Sequence, residues 1–89
     1  MRVRPAPGVT ATVLESGELL LFAADRGDEY TCGPVATAMW IALRRHDGDL
    51  DATADTLAGL WDSERVIIRA ELEIWADELR AAGLVRRTP

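Results

Sequence analysis

The chain has no lysine: all ten of its basic residues are arginine, against fifteen acids, for a net charge of −5. The arginine bias, with abundant alanine, reads as the mark of a GC-rich genome rather than of function. The acidic balance disfavours nonspecific nucleic-acid binding. A single cysteine excludes an internal disulfide and makes the cytoplasm the expected compartment. No apolar run approaches the ~18 residues of a membrane span. Met1-Arg2-Val3-Arg4-Pro5 has no apolar stretch behind its charges, so a secretory signal is not expected. No glycine-rich loop follows a strand-like segment, which leaves nucleotide binding without support. One cysteine and one histidine fall short of the three or four ligands of a zinc site.

What is present reads as one small domain over residues 1–89. A chain of 9.7 kDa buries about 64% of its unfolded surface on folding. That supports one core without room for a separate cofactor domain. The first third is strand-like. Pro5-Ala6-Pro7-Gly8 is an extended lead-in. Val9 to Leu14 carries β-branched residues, and Glu15 to Glu18 reads as a turn. Leu19 to Phe22 is a continuous apolar run expected to be buried on both faces. Asp28 to Cys32 forms a third, more polar strand. Short links between the three favour an antiparallel meander.

The remainder is helical. Gly33-Pro34 opens a first helix, with apolar residues at Val35, Ala38, Met39, Ala42 and Leu43. Arg44 and Arg45 suit its negative end, and His46-Asp47-Gly48 stops it. Asp49 is the expected N-cap of a second helix reaching Leu60. Asp62-Ser63-Glu64 starts a third helix that runs to about Ala82, with Gly83 after it. Its main stripe, Ile68, Leu72, Trp75, Ala76 and Leu79, has core spacing. A second line, Ile67, Glu71, Ile74 and Glu78, is too apolar for a fully solvated face and too charged for a core. It is either the wall of a partly exposed groove or two incidentally exposed isoleucines. Arg2, Arg4, Arg86 and Arg87, near the two ends, are expected to be solvated.

Chemistry is sparse. A Cys32–His46 nucleophile pair is weighed against a buried structural cysteine and a solvated helix-end histidine, and the latter reading is preferred. Asp47, Asp49, Asp51 and Asp55 resemble the start of a calcium loop, but its glycine and final glutamate are displaced, so capping and a solvated face explain them. Trp40, Trp61 and Trp75 are expected to anchor the core. A winged-helix DNA-binding regulator conflicts with a third helix carrying five acids against three arginines over residues 63–82.

The segment Asp28-Glu29-Tyr30-Thr31-Cys32-Gly33-Pro34-Val35-Ala36-Thr37-Ala38-Met39-Trp40 resembles the PqqD-like family, the recognition elements for precursors of ribosomally made, post-translationally modified peptides (RiPPs). Tyr30, Ala36, Met39 and Trp40 stand at matching places. The resemblance continues through Leu57, Trp61-Asp62, Leu72, Leu79 and Ala82-Gly83-Leu84-Val85, and reaches back to Gly17-Glu18-Leu19-Leu20-Leu21. Cys32 in place of leucine and Gly33 in place of asparagine depart from the pattern.

The resemblance implies an α+β, winged helix-turn-helix-like fold: a three-stranded antiparallel sheet followed by three α-helices. It implies a non-catalytic role without cofactors, binding the leader segment of a precursor peptide. In that family the leader adds as an extra strand beside the third strand and lies against the third helix. The corresponding residues are Asp28, Glu29, Tyr30, Thr31 and Cys32 on the strand, and Ile67, Ala70, Glu71, Ile74 and Glu78 on the helix. An edge strand with unpaired backbone groups is a physical template for such addition. The character of the chain looks most like the stand-alone lasso-peptide branch, implying a leader peptidase and a cyclase as partners. A radical-SAM maturase as partner is the alternative. No nucleic-acid or membrane partner is expected, and a monomer is favoured. A small cysteine-dependent enzyme and a DNA-binding regulator stand as alternatives from other classes.

Overall fold

A computed structural model describes residues 2–89. Eight elements follow in order: β1 (Arg2–Pro5), β2 (Val9–Val13), β3 (Leu19–Ala23), β4 (Asp28–Cys32), α1 (Pro34–Arg45), α2 (Leu50–Trp61), α3 (Arg65–Ala81) and β5 (Val85–Thr88). The three strands read from the sequence are β2, β3 and β4, an antiparallel meander in that spatial order. The α+β, winged helix-turn-helix-like architecture is as expected, with one addition. β1 and β5 pair with each other, Val3 opposite Arg87 and Pro5 opposite Val85, and join the two ends of the chain in a separate two-stranded sheet.

β3 corrects one expectation. Leu19, Leu21 and Ala23 are buried, but Leu20 and Phe22 are only half-buried, so the strand is covered on one face rather than two. Alternation places the inner face against the helices, as in antiparallel sheets with one wetter side. Cys32 joins that inner layer. The helices contribute Met39, Trp40 and Leu43 from α1, Leu50, Ala54 and Leu57 from α2, and the expected stripe Ile68, Leu72, Trp75, Ala76 and Leu79 from α3. Trp40 and Trp75 meet edge-to-face with ring centres 6.4 Å apart. Each fully buried leucine contributes about 1.5–3 kcal/mol relative to exposure.

Local signals fix the helix ends. Pro34 stands at the first position of α1. Asp49 caps α2, its carboxylate accepting from the amides of Asp51 and Ala52 at 2.9 and 3.2 Å. Gly48, at φ +85°, lets the α1–α2 turn lie against β1, where the Val3 amide donates to the Gly48 carbonyl at 2.9 Å. A Cβ on Gly48 would stand 2.4 Å from the Val3 carbonyl oxygen.

Three of the four arginines at the chain ends are also unlike the expectation. Arg4 pairs with Asp47 at 2.6 Å, and Arg2 donates to the carbonyls of His46 and Asp47. Arg87 of β5 pairs with Glu73 and Asp77 of α3. Arg2, Arg4 and Arg87 are clamps rather than solvated charges, because β1 carries two of them to the α1–α2 turn and β5 carries the third over α3; Arg86 is exposed, as expected.

Candidate functional site

α3 has two chemically different flanks. Arg65 pairs with Asp51 and Asp55, Arg69 with Asp51 and Glu73, and Arg87 closes the set on Glu73 and Asp77. The arginine neighbours hold the Asp51 and Glu73 carboxyls below their usual range, through hydrogen bonds led by Arg69 in both cases. This flank ties α3 to α2 and β5. The opposite flank carries Glu64, Ile67, Glu71, Ile74 and Glu78, and none of its three glutamates makes an ion pair among the described residues. Helical spacing sets the five residues in one line. Ile67 and Ile74 remain 51% and 61% exposed, so the second stripe lies outside the core.

At the N-terminal half of this line an open groove of about 510 Å³ is walled by Val35, Trp61, Glu64, Ile67, Ile68 and Glu71, with Ser63 at its rim. Two of these walls differ from expectation. Val35 is exposed rather than part of the core face of α1, and Trp61 is half-buried, packed against the edge of the core with its other side open to the groove. Both precede or follow a helix boundary, where spacing alone does not tell which way a side chain turns. Trp40 and Trp75 are buried as expected. Val35 lies three residues beyond β4, so this wall of the groove stands within about 11 Å of the end of that strand.

β4 pairs with β3 alone, which leaves its other edge free. The ladder tells which backbone groups that edge offers. The Leu14 amide donates to the Glu18 carbonyl at 2.8 Å, and the Ala24 amide donates to the Gly8 carbonyl at 3.1 Å. Bonded pairs alternate along an antiparallel ladder, so Thr10–Phe22 and Thr12–Leu20 are bonded pairs. Leu19, Leu21 and Ala23 therefore turn their backbone groups toward β4, to Cys32, Tyr30 and Asp28. The amides and carbonyls of Glu29 and Thr31 point to the free edge.

Of the residues singled out in the sequence, Ile67 and Glu71 line the groove. Ala70, Ile74 and Glu78 are exposed farther along α3, outside its walls. Asp28, Glu29, Tyr30 and Thr31 are exposed, while the Cys32 side chain is buried and only its backbone belongs to the strand surface. Val35, Trp61 and Glu64 were not singled out for this site. Their spacing ahead of Ile67 on three different elements carries no local signal.

Cys32 and His46 stand at opposite ends of α1, a helix about 18 Å long at 1.5 Å per residue. Burial pushes the Cys32 thiol up, away from the thiolate. The His46 ring reaches Thr56 instead, Nε2 to Oγ1 at 2.7 Å. The geometry does not form a Cys–His pair. The aspartates of the imagined calcium loop are likewise engaged: Asp47 with Arg4, Asp49 as a cap, Asp51 and Asp55 with Arg65.

No family model matches the chain, and no curated protein matches it. A solved structure, TbiB1 in complex with the TbiA(beta) leader peptide, superposes with a TM-score of 0.84, covering 97% of this chain and 98% of the other. Their sequences are 14% identical. What the likeness shows is a shared fold along nearly the whole of both chains.

Proposed function

We propose that the chain binds the leader segment of a ribosomally synthesised precursor peptide, adding it as a strand at β4 and seating its side chains against α3. The observation that carries this reading is the free β4 edge beside an apolar, acid-lined groove. Backbone bonds to Glu29 and Thr31 would contribute affinity whatever the sequence, and the groove would select which peptide binds. Ile67 and Ile74, with Ala70 between them, would take apolar leader side chains. Glu64, Glu71 and Glu78, without arginine partners, would favour basic ones. The fold shared with TbiB1, a protein solved with a leader peptide, supports the same reading.

In this role the chain does no covalent chemistry. It holds the precursor for processing enzymes, a leader peptidase and then a cyclase, in the manner of the stand-alone lasso-peptide branch. The test is an NMR titration of the ¹⁵N-labelled protein with the leader peptide encoded nearest its gene. Saturable shifts are expected at the Glu29 and Thr31 amides and along residues 64–78. Shifts confined to other surfaces would overturn the assignment.

A further inference from the structure

The meander has a second free edge, and it differs from the first. β2 pairs only with β3, and its residues from Val9 to Val13 read Val-Thr-Ala-Thr-Val, with no charge, proline or glycine. Native sheets usually guard an edge with a charge, a proline or a bulge. The same alternation that turns Glu29 and Thr31 outward on β4 turns the backbone groups of Ala11 and Val13 outward on β2. Their side chains face the helices, where with Trp40, Ile41, Arg44 and Arg45 of α1 they line an open groove of about 410 Å³. Val13 and Ile41 are exposed there.

Charge distinguishes this groove. Seven of the ten arginines make ion pairs with carboxylates; Arg44, Arg45 and Arg86 make none among the described residues, and the first two lie side by side at the end of α1. Two unpaired cations thus border an apolar groove in a chain whose net charge is −5. The groove at α3 carries unpaired glutamates instead.

We infer that the β2–α1 groove is a second strand-addition site, for an extended segment of a partner protein whose groove-facing residues, every second one along the strand, include both apolar and acidic side chains. The segment's backbone would pair with Ala11 and Val13, its apolar side chains would enter the groove over Trp40 and Ile41, and its carboxylates would meet Arg44 and Arg45. Pairing β2 with β2 of a second copy is disfavoured, because it brings two Arg44–Arg45 pairs to one seam, like against like. β2 and β4 are opposite edges of one sheet and the two grooves share no lining residue, so both can be filled together, and the inference does not depend on what occupies the β4 edge.

The experiment is an NMR titration of the ¹⁵N-labelled full chain with an end-blocked eight-residue peptide that carries valine, leucine and two glutamates on one face, at every second position, with threonine between them, beside a counterpart with lysine for glutamate. The glutamate peptide is expected to shift the Ala11 and Val13 amides and those of residues 40–45. The Arg44→Glu/Arg45→Glu double variant should weaken it at least tenfold, with an unchanged circular dichroism spectrum, and Ile74→Glu should leave it unaffected. No binding, equal binding of the lysine peptide, shifts at β4 and α3 instead, or a β2-mediated dimer would each overturn the inference. A leader titration of the same sample reads the other groove separately.

Discussion

Thr31→Pro isolates the contribution of the β4 edge. The Thr31 amide points away from β3, so a proline there removes no bond of the sheet, and edge strands tolerate it on the side facing solvent. The residue before it, Tyr30, is already extended, as a pre-proline residue prefers. Stability should therefore change little. Leader binding should not be spared. The variant loses one backbone hydrogen bond, worth about 0.5–1.5 kcal/mol net, and leaves a leader carbonyl unpaired against a ring. A total near 1.5 kcal/mol corresponds to about a tenfold weaker Kd. Tyr30→Pro makes the opposite prediction. It removes an inner bond to Leu21 and strands that carbonyl, at a cost of about 1–3 kcal/mol in folding stability. Urea denaturation and fluorescence-anisotropy binding of labelled leader separate the two effects. If Thr31→Pro folds normally and binds leader as tightly as the parent, the strand-addition account of β4 is refuted.

Gly48→Ala should lower stability by about 1–3 kcal/mol in urea denaturation, because the residue holds a left-handed conformation and its new methyl would meet the Val3 carbonyl. Arg87→Ala unfastens β5 from Glu73 and Asp77 at a partly exposed clamp, for an expected loss of about 0.5–1 kcal/mol; leader affinity should be unchanged. The contribution of the arginine-paired carboxylates Asp47, Asp51 and Glu73 to stability should hold down to about pH 5, then fall. Asp47, Asp51 and Glu73 have folded-state pKa values below their unfolded ones, so their contribution is complete above the unfolded values and is lost as acid protonates them in the folded state. Thermal melts at stepped pH check this, and a stability that rises on acidification below pH 4 would contradict it.

The meander and the three helices were legible because each announces itself locally. α3 shows why: Ile68, Leu72, Trp75, Ala76 and Leu79 recur at a spacing only a helix brings to one face. β1 and β5 were not legible. Each is four residues long, with one buried side chain apiece, Val3 and Val85, among arginines, proline and threonine. Their partner strand lies at the far end of the chain, and nothing within either segment reports it. The same non-local pairing converts Arg4 and Arg87 from apparent surface charges into clamps. Leu19 to Phe22 misled for another reason: a short apolar run looks alike whether one face or both are covered. For the groove, Ile67 and Glu71, part of the line that runs on to Ile74 along α3, were visible in the periodicity. Val35 and Trp61 were not, since they reach the groove from the ends of two other helices. The outward amides of Glu29 and Thr31 could be assigned only once the register of β3 was known.

The most direct test of leader recognition at α3 is the affinity of the nearest encoded leader peptide for the parent protein and for Ile74→Glu. Ile74 is 61% exposed on α3, and glutamate is a good helix former, so the variant should keep its fold. A buried carboxylate among apolar leader side chains should weaken binding at least tenfold, about 1.4 kcal/mol. Submicromolar, saturable binding by the parent and its loss in a folded Ile74→Glu is the predicted result. Equal binding by both proteins, or none by a folded parent, would contradict the account.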